Sequence, residues 1–204
     1  MTSFGSRAST LPYHQDAAMI AVGNDGKIVI GKCRDSENLW QMLRGGIKKN
    51  ESPLQAAMRI LQEETGIAEA SFHKQAQKPV ICEYPEGSND LLGFRGQTTQ
   101  WYLVDVFAQD FRPSAFQYFR SGGFRRGRPS LEFTELKRAS PAEVLKLAHN
   151  NQEGDYISWQ REVTYRAIFE EFGIDENNSA GISLSRPLFK TSSNPRMVRK
   201  DFGN

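Results

Sequence analysis

At 204 residues and 38% hydrophobic content, the chain has apolar side chains enough for one domain with additional segments, and no apolar run reaches membrane-spanning length. The 26 basic residues nearly balance the 24 acidic ones, for a net charge of +2, which excludes a uniformly polybasic or polyacidic chain; any charged surface must be local. A mean hydropathy of −0.57 places part of the chain outside a core. The two cysteines, Cys33 and Cys82, show no metal-type spacing and argue against a disulfide scaffold, which points to a reducing intracellular compartment, cytoplasmic or mitochondrial.

Residues 1–15 lack acids and contain Arg7 among Ser and Thr, compatible with an organellar presequence or with a frayed terminus. The apolar run Ala17–Val22 and the run Lys27–Cys33 flank the turn signal Asn24-Asp25-Gly26, which predicts a β-hairpin. After a polar loop, Trp40-Gln41-Met42-Leu43 leads into Arg44-Gly45-Gly46, where paired glycines let the backbone turn sharply or approach a ligand.

The next stretch reads as a helix with both ends marked. Ser52 is an N-cap, Pro53 takes the first helical position, Gln55 completes a capping box and Gly66 supplies the left-handed stop. Leu54, Ala57, Met58 and Leu61 form an apolar stripe at helical spacing. Positions 60, 63 and 64 stand at i, i+3 and i+4 and should meet on one surface. Glu63 and Glu64 repel each other there unless a cation lies between them, and adjacent hard oxygen donors suit Mg²⁺ or Mn²⁺. A solvated acidic turn is the competing reading of a bare Glu-Glu pair.

The whole stretch resembles the Nudix box, whose pattern is Gly, five residues, Glu, seven residues, Arg-Glu, an apolar residue, any residue, Glu-Glu, any residue, Gly and an apolar residue. Laid on this chain, the pattern begins at Gly45 and is met by Glu51, Arg59, Leu61, Glu63, Glu64, Gly66 and Ile67. It departs at Ile60, where the family has a Glu that usually ligates metal and in some members acts as the general base. A hydrocarbon expected on the helix surface between Glu63 and Glu64 does neither. The run Trp40–Ile47 is also similar to one Nudix branch, that of the diadenosine tetraphosphate hydrolases and RNA pyrophosphohydrolases, with Leu43 in place of that branch's Pro. The resemblance implies an α/β fold, a Nudix-type α/β/α sandwich with a mixed central sheet over residues 16–173. It implies hydrolysis of a diphosphate linkage attached to a nucleoside, with Mg²⁺ or Mn²⁺ held by Glu63, Glu64 and Gly45. Arg59 would orient the carboxylates, Glu51 would lie at the edge of the metal site or pair with Arg59, and Arg44, Gly45 and Gly46 would face substrate.

Val80-Ile81-Cys82 predicts a strand, and Trp101–Phe107 a clearer one. Gly96-Gln97 ahead of that aromatic strand again resembles the same branch and makes Arg95 and Gln97 substrate-side candidates. Residues 111–130 hold Arg112, Arg120, Arg125, Arg126 and Arg128 without an acid, interleaved with Phe116, Tyr118, Phe119 and Phe124. Arginine neutralises phosphate and aromatics stack on bases, so nucleotide or RNA contact through Arg125 and Arg126 is one reading; a solvated loop and a protein-binding surface are the others. By resemblance, Glu132 is the candidate for a further metal and catalytic carboxylate, with Glu135 as fallback.

Ser140-Pro141 opens a helix to about Ala148, and a second helix runs from near Asp155 to Phe172, with Ile157, Val163, Tyr165, Ile168, Phe169 and Phe172 as apolar members and Gly173 as its end. Residues 174–204, rich in Asn, Ser and Arg, read as a basic, polar tail that is disordered alone or docks on a protein partner. Two function classes follow. One is a pyrophosphohydrolase acting on a dinucleoside polyphosphate or on the 5′ end of triphosphorylated RNA, weakened by Ile60. The other is a catalytically inactive Nudix-fold RNA- or protein-binding subunit of an RNA-protein assembly.

Overall fold

The computed structural model describes residues 10–34, 39–85, 93–107, 132–149, 156–184 and 189–192. The expected hairpin is present: β1 (Tyr13–Gly23) turns at Gly26 into β2 (Ile28–Cys33), with Val22 opposite Ile28. Two short strands follow, β3 (Trp40–Met42) and β4 (Arg44–Gly46), and then helix α1 (Pro53–Thr65). Beyond it come β5 (Glu69–Gln75), β6 (Val80–Glu83), β7 (Gly96–Val106) and β8 (Phe133–Ala139), then helices α2 (Pro141–His149) and α3 (Tyr156–Phe172), and β9 (Phe189–Ser192).

These nine described strands form one mixed sheet whose main path runs β3-β2-β1-β7-β5-β9, with β4 on β1, β6 on β7 and β8 on β2. The centre is parallel: β1 pairs with β7 along its whole length, from Tyr13 opposite Gly96 to Gly23 opposite Val106. The sheet is covered on both faces, and β1 shows why. It is buried continuously from Asp16 to Gly23 and sends alternate side chains to opposite sides, as the pleat requires. Ala17, Met19 and Ala21 join a core with Ala57, Ile60 and Leu61 of α1. Ala18, Ile20 and Val22 join a second core with Val144 and Leu145 of α2 and Tyr165, Ile168 and Phe169 of α3. The expected α/β/α sandwich is therefore the fold.

Helix α1 starts and stops where the sequence predicts. Ser52 Oγ accepts from the Gln55 N–H at 3.3 Å, and Gln55 Oε1 accepts from the Ser52 N–H at 2.9 Å. Gly66 closes the helix at φ 78° and donates to the Gln62 carbonyl.

Three expectations are corrected. The aromatic strand begins at Gly96 rather than Trp101, because the β1 pairing extends over the polar residues Gln97–Gln100. Val163 is 47% exposed and not a core member of α3. The chain beyond Gly173 does not leave the body at once. Ile174 is buried, Ile182 and Leu184 pack against the α2–α3 core, the Ile182 N–H donates to the Gly26 carbonyl at 2.6 Å, and β9 adds to β5. A few apolar anchors spaced among Asn and Ser give no periodicity, so composition alone reads this part as tail. Residues 1–9 and 193–204 lie outside the described residues, and none of the described helices is long and apolar enough to cross a membrane.

Candidate functional site

The site is built around the Gly45-Gly46 dipeptide, held between β1 and α1. Asp16, Ala17 and Ala18 of β1 pair with Gly46, Gly45 and Arg44. On the α1 side Arg59 is the fastening. Its Nε and Nη2 grip both oxygens of Glu51 at 2.8 and 2.9 Å, Nη2 also donates to the Gly46 carbonyl at 2.8 Å, and Nη1 donates to Glu63 Oε2 at 2.8 Å. The planar guanidinium makes this two-pronged contact possible and orders the loop from 46 to 51 against the helix. Hydrogen bonding to Arg59 holds the Glu51 carboxyl below its ordinary value. Of the two roles expected for Glu51, the structure shows the pairing with Arg59.

Glu63 and Glu64 do not stand together. Glu63 is turned to Arg59 and to Lys48, whose Nζ is 3.1 Å from Oε1. Glu64 is turned the other way, its Oε1 accepting from the Glu132 N–H at 3.2 Å. The two neighbouring glutamates expected to grip one cation thus meet different partners here, since an i, i+1 pair splays around a helix. Ile60 itself departs from expectation. It is not on the surface but 3% exposed, part of the core beneath the dipeptide. A Cβ placed on Gly45 would lie 3.2 Å from the Ile60 side chain, so Gly45 is a close-packing position.

The acidic centre is instead Glu64 with Glu132. Glu64 Oε2 is buried and has no hydrogen-bond partner among the described residues. Burial, with the nearby Glu132 charge as a lesser cause, pushes the Glu64 carboxyl up to about 7. Burial also raises Glu132, opposed by Arg44 and by the hydrogen bond that Gln41 Nε2 donates to it. Glu132 precedes β8, and its carbonyl accepts from the Arg34 N–H, so β2 and α1 both fix it. Among the described residues no three His, Cys, Asp or Glu side chains converge in a metal cage. The donor chemistry that is present, two partly desolvated carboxylates with one orphaned oxygen, fits a hard divalent cation at Glu64 and Glu132; Glu63 is occupied by its basic partners.

A cleft of about 300 Å³ lies between β6, β7 and α3, walled by Tyr84, Trp101 and Tyr165 with Gln97, Arg44 and Arg161 among its polar groups. The Trp101 indole N–H and one Arg161 nitrogen are buried there without a hydrogen-bond partner among the described residues. Arg44 and Arg161 both act on the Glu132 carboxyl, so the cleft adjoins the acidic pair. Aromatic walls with convergent cationic and hydrogen-bonding groups suit a nucleoside carrying phosphates.

The structure thus brings Glu64, Glu132, Arg44 and Gln97 toward one region, with Gly45, Gly46 and Arg59 as its frame. Arg95 is taken up elsewhere: its Nη2 is 2.9 Å from Glu83 Oε1 and its guanidinium lies 4.8 Å over the Tyr13 ring. Glu135, the fallback for Glu132, sits within β8 opposite Lys32. Arg125, Arg126 and the rest of 111–130 lie outside the described residues. Sequence reasoning did not single out His14, Asp16, Arg161 or Trp101 as site residues. Arg161 and Trp101 were masked by helical and strand context, and Asp16 by its place at the head of an apolar strand, although an acid followed by seven buried residues is a signal in itself.

A family model described as a NUDIX domain matches residues 12–160. Nudix hydrolase 25 of Arabidopsis thaliana is 28% identical over 167 residues, spanning 79% of this chain and 86% of the relative. An RNA pyrophosphohydrolase of Erythrobacter litoralis is 31% identical over 179 residues, spanning 84% and 98%. Among solved structures, the E. coli dihydroneopterin triphosphate pyrophosphohydrolase superposes with a TM-score of 0.52 at 15% identity over 76% of this chain and 96% of that one, a likeness of fold alone.

Proposed function

The chain belongs to the Nudix family, and from that premise we propose that it is a divalent-metal-dependent pyrophosphohydrolase acting on a diphosphate linkage attached to a nucleoside, in a dinucleoside polyphosphate or at a triphosphorylated RNA 5′ end. The observation that carries the reading is the orphaned Glu64 Oε2 beside Glu132, at the margin of a cleft with Arg44 and Arg161. The similarity to an RNA pyrophosphohydrolase over almost that protein's full length supports the choice of substrate class.

Glu64 and Glu132 would hold Mg²⁺ or Mn²⁺, with the backbone at Gly45 alongside. Such an ion, when bound, neutralises phosphate charge and lowers the pKa of water. The remaining work falls to side chains. Arg44 and Arg161 draw the phosphates toward the acidic pair, Tyr84 and Trp101 bound the nucleoside, and Gln97 is placed to hydrogen-bond it. Arg59 keeps the 46–51 loop in place, so that Gly45 and Gly46 present a fixed backbone.

The experiment is phosphate release from diadenosine tetraphosphate and from 5′-triphosphate RNA with Mg²⁺ and with Mn²⁺, for the unmodified chain beside Glu64→Gln and Ile60→Glu. Activity abolished by Glu64→Gln supports the reading. Activity that appears only in Ile60→Glu would overturn it and leave a binding subunit in its place.

A further inference from the structure

Ile60 removes one proton acceptor from the catalytic helix, and the structure holds another on the opposite side of the same dipeptide. His14 and Asp16 stand two residues apart on β1 and so share a face. His14 Nδ1 lies 2.7 Å from Asp16 Oδ1. Asp16 is 5% exposed, whereas the His14 side chain is 40% exposed, so the acid is hidden and the imidazole opens to solvent. A carboxylate only accepts, so Nδ1 donates to it, and in the neutral imidazole the lone pair falls on Nε2. The Phe94 ring braces the imidazole edge-on, with centroids 4.9 Å apart.

The position of Nε2 is what makes this pair more than a satisfied surface contact. A Cβ on Gly46 would lie 3.0 Å from His14 Cε1 and 3.4 Å from Nε2, so the imidazole rests on Gly46. Gly46 is the residue whose carbonyl Arg59 holds, and its neighbour Gly45 packs on Ile60. The dipeptide is therefore flanked by hydrocarbon on the α1 side and by an aspartate-oriented histidine on the other. Asp16 is also within electrostatic reach of Glu132 and of Tyr84 at the cleft.

We propose that His14, oriented by Asp16, is the general base for the hydrolysis assigned above, in the role that a carboxylate at position 60 cannot fill. This rests on the hydrolase reading. Nε2 takes a proton from water as the water oxygen bonds to phosphorus. The bond from phosphorus to the bridging oxygen breaks, its electron pair leaves with the departing phosphate, and the imidazolium then returns its proton to solvent. Among the described residues, Glu132 ahead of β8 and Tyr84 after β6 feel the Asp16 charge, Arg44 of β4 acts on both of them, and Arg59 of α1 holds the Gly46 carbonyl.

The test combines rates with the histidine's own spectrum. His14→Gln should lower kcat by about 10²–10⁴-fold with KM little changed. Asp16→Asn should lower kcat by less than His14→Gln and weaken the preference of the neutral imidazole for a proton on Nδ1. Imidazole added to His14→Ala should restore part of the rate. Independently of turnover, long-range ¹H–¹⁵N NMR of the neutral imidazole should show His14 protonated on Nδ1 and bare at Nε2; the opposite tautomer would overturn the assignment. Turnover that survives His14→Gln would overturn it alone. An unmodified chain with no turnover would overturn it together with the hydrolase reading.

Discussion

Arg59 makes four hydrogen bonds with one guanidinium, and its loss would leave Glu51, which is 15% exposed, without its main partner. Arg59→Ala should therefore destabilise the protein by about 2–4 kcal/mol, and Arg59→Lys should recover only part, since a point charge cannot reproduce the fork. Urea denaturation measures both. Ile60→Glu tests the other side of the site. A carboxylate placed in the pocket under Gly45 lacks a partner there, so the substitution should cost about 2–4 kcal/mol without metal, with part of that regained when Mn²⁺ is added. A thermal melt with and without Mn²⁺ reads this, and an unchanged Tm would show that position 60 is not the packed site described.

At the scale of elements, α1 is where the sequence is most legible. Its cap residues act within a few positions of one another, so local chemistry decides both ends. Ser52→Ala removes the acceptor for the Gln55 N–H and should cost about 1 kcal/mol, a fall in Tm of about 2–4 °C. The same locality exposes what reading residue by residue misses. Helical spacing puts positions 60, 63 and 64 near one another, but Ile60 is drawn inward by the apolar underside of Gly45, while Glu63 and Glu64 are parted by Arg59 on one side and the backbone of Glu132 on the other. The last of these contacts spans 68 residues, and nothing local to α1 foretells it. His14 illustrates the same limit: its importance depends on which residue β4 brings against β1.

For the molecule as a whole, the pairing of α1 with the start of β8 through Glu64 and Glu132 joins stability to pH. Glu64 has a folded value of about 7 against its ordinary 4.5, so the folded state holds the proton more tightly. Its contribution is fully present below 4.5 and is lost as pH rises through 7, on the order of 2 kcal/mol after allowance for partial solvation. Denaturation of the metal-free protein between pH 4.5 and 8 should show this decline, and Glu64→Gln should flatten it. Mg²⁺ should reverse the loss at the alkaline end, and its apparent affinity should rise with pH up to about 7, because binding expels that proton.

The parallel seam at the centre of the sheet also sets an order of events in the cell. The segment bearing His14 leaves the ribosome ahead of its register partner, which lies about eighty residues further along, several seconds of synthesis at usual elongation speeds. Until then that strand, apolar on both faces, has β2, β4 and α1 to lean on but lacks its longest partner. The surroundings in which the imidazole works are thus completed well after the imidazole itself is made.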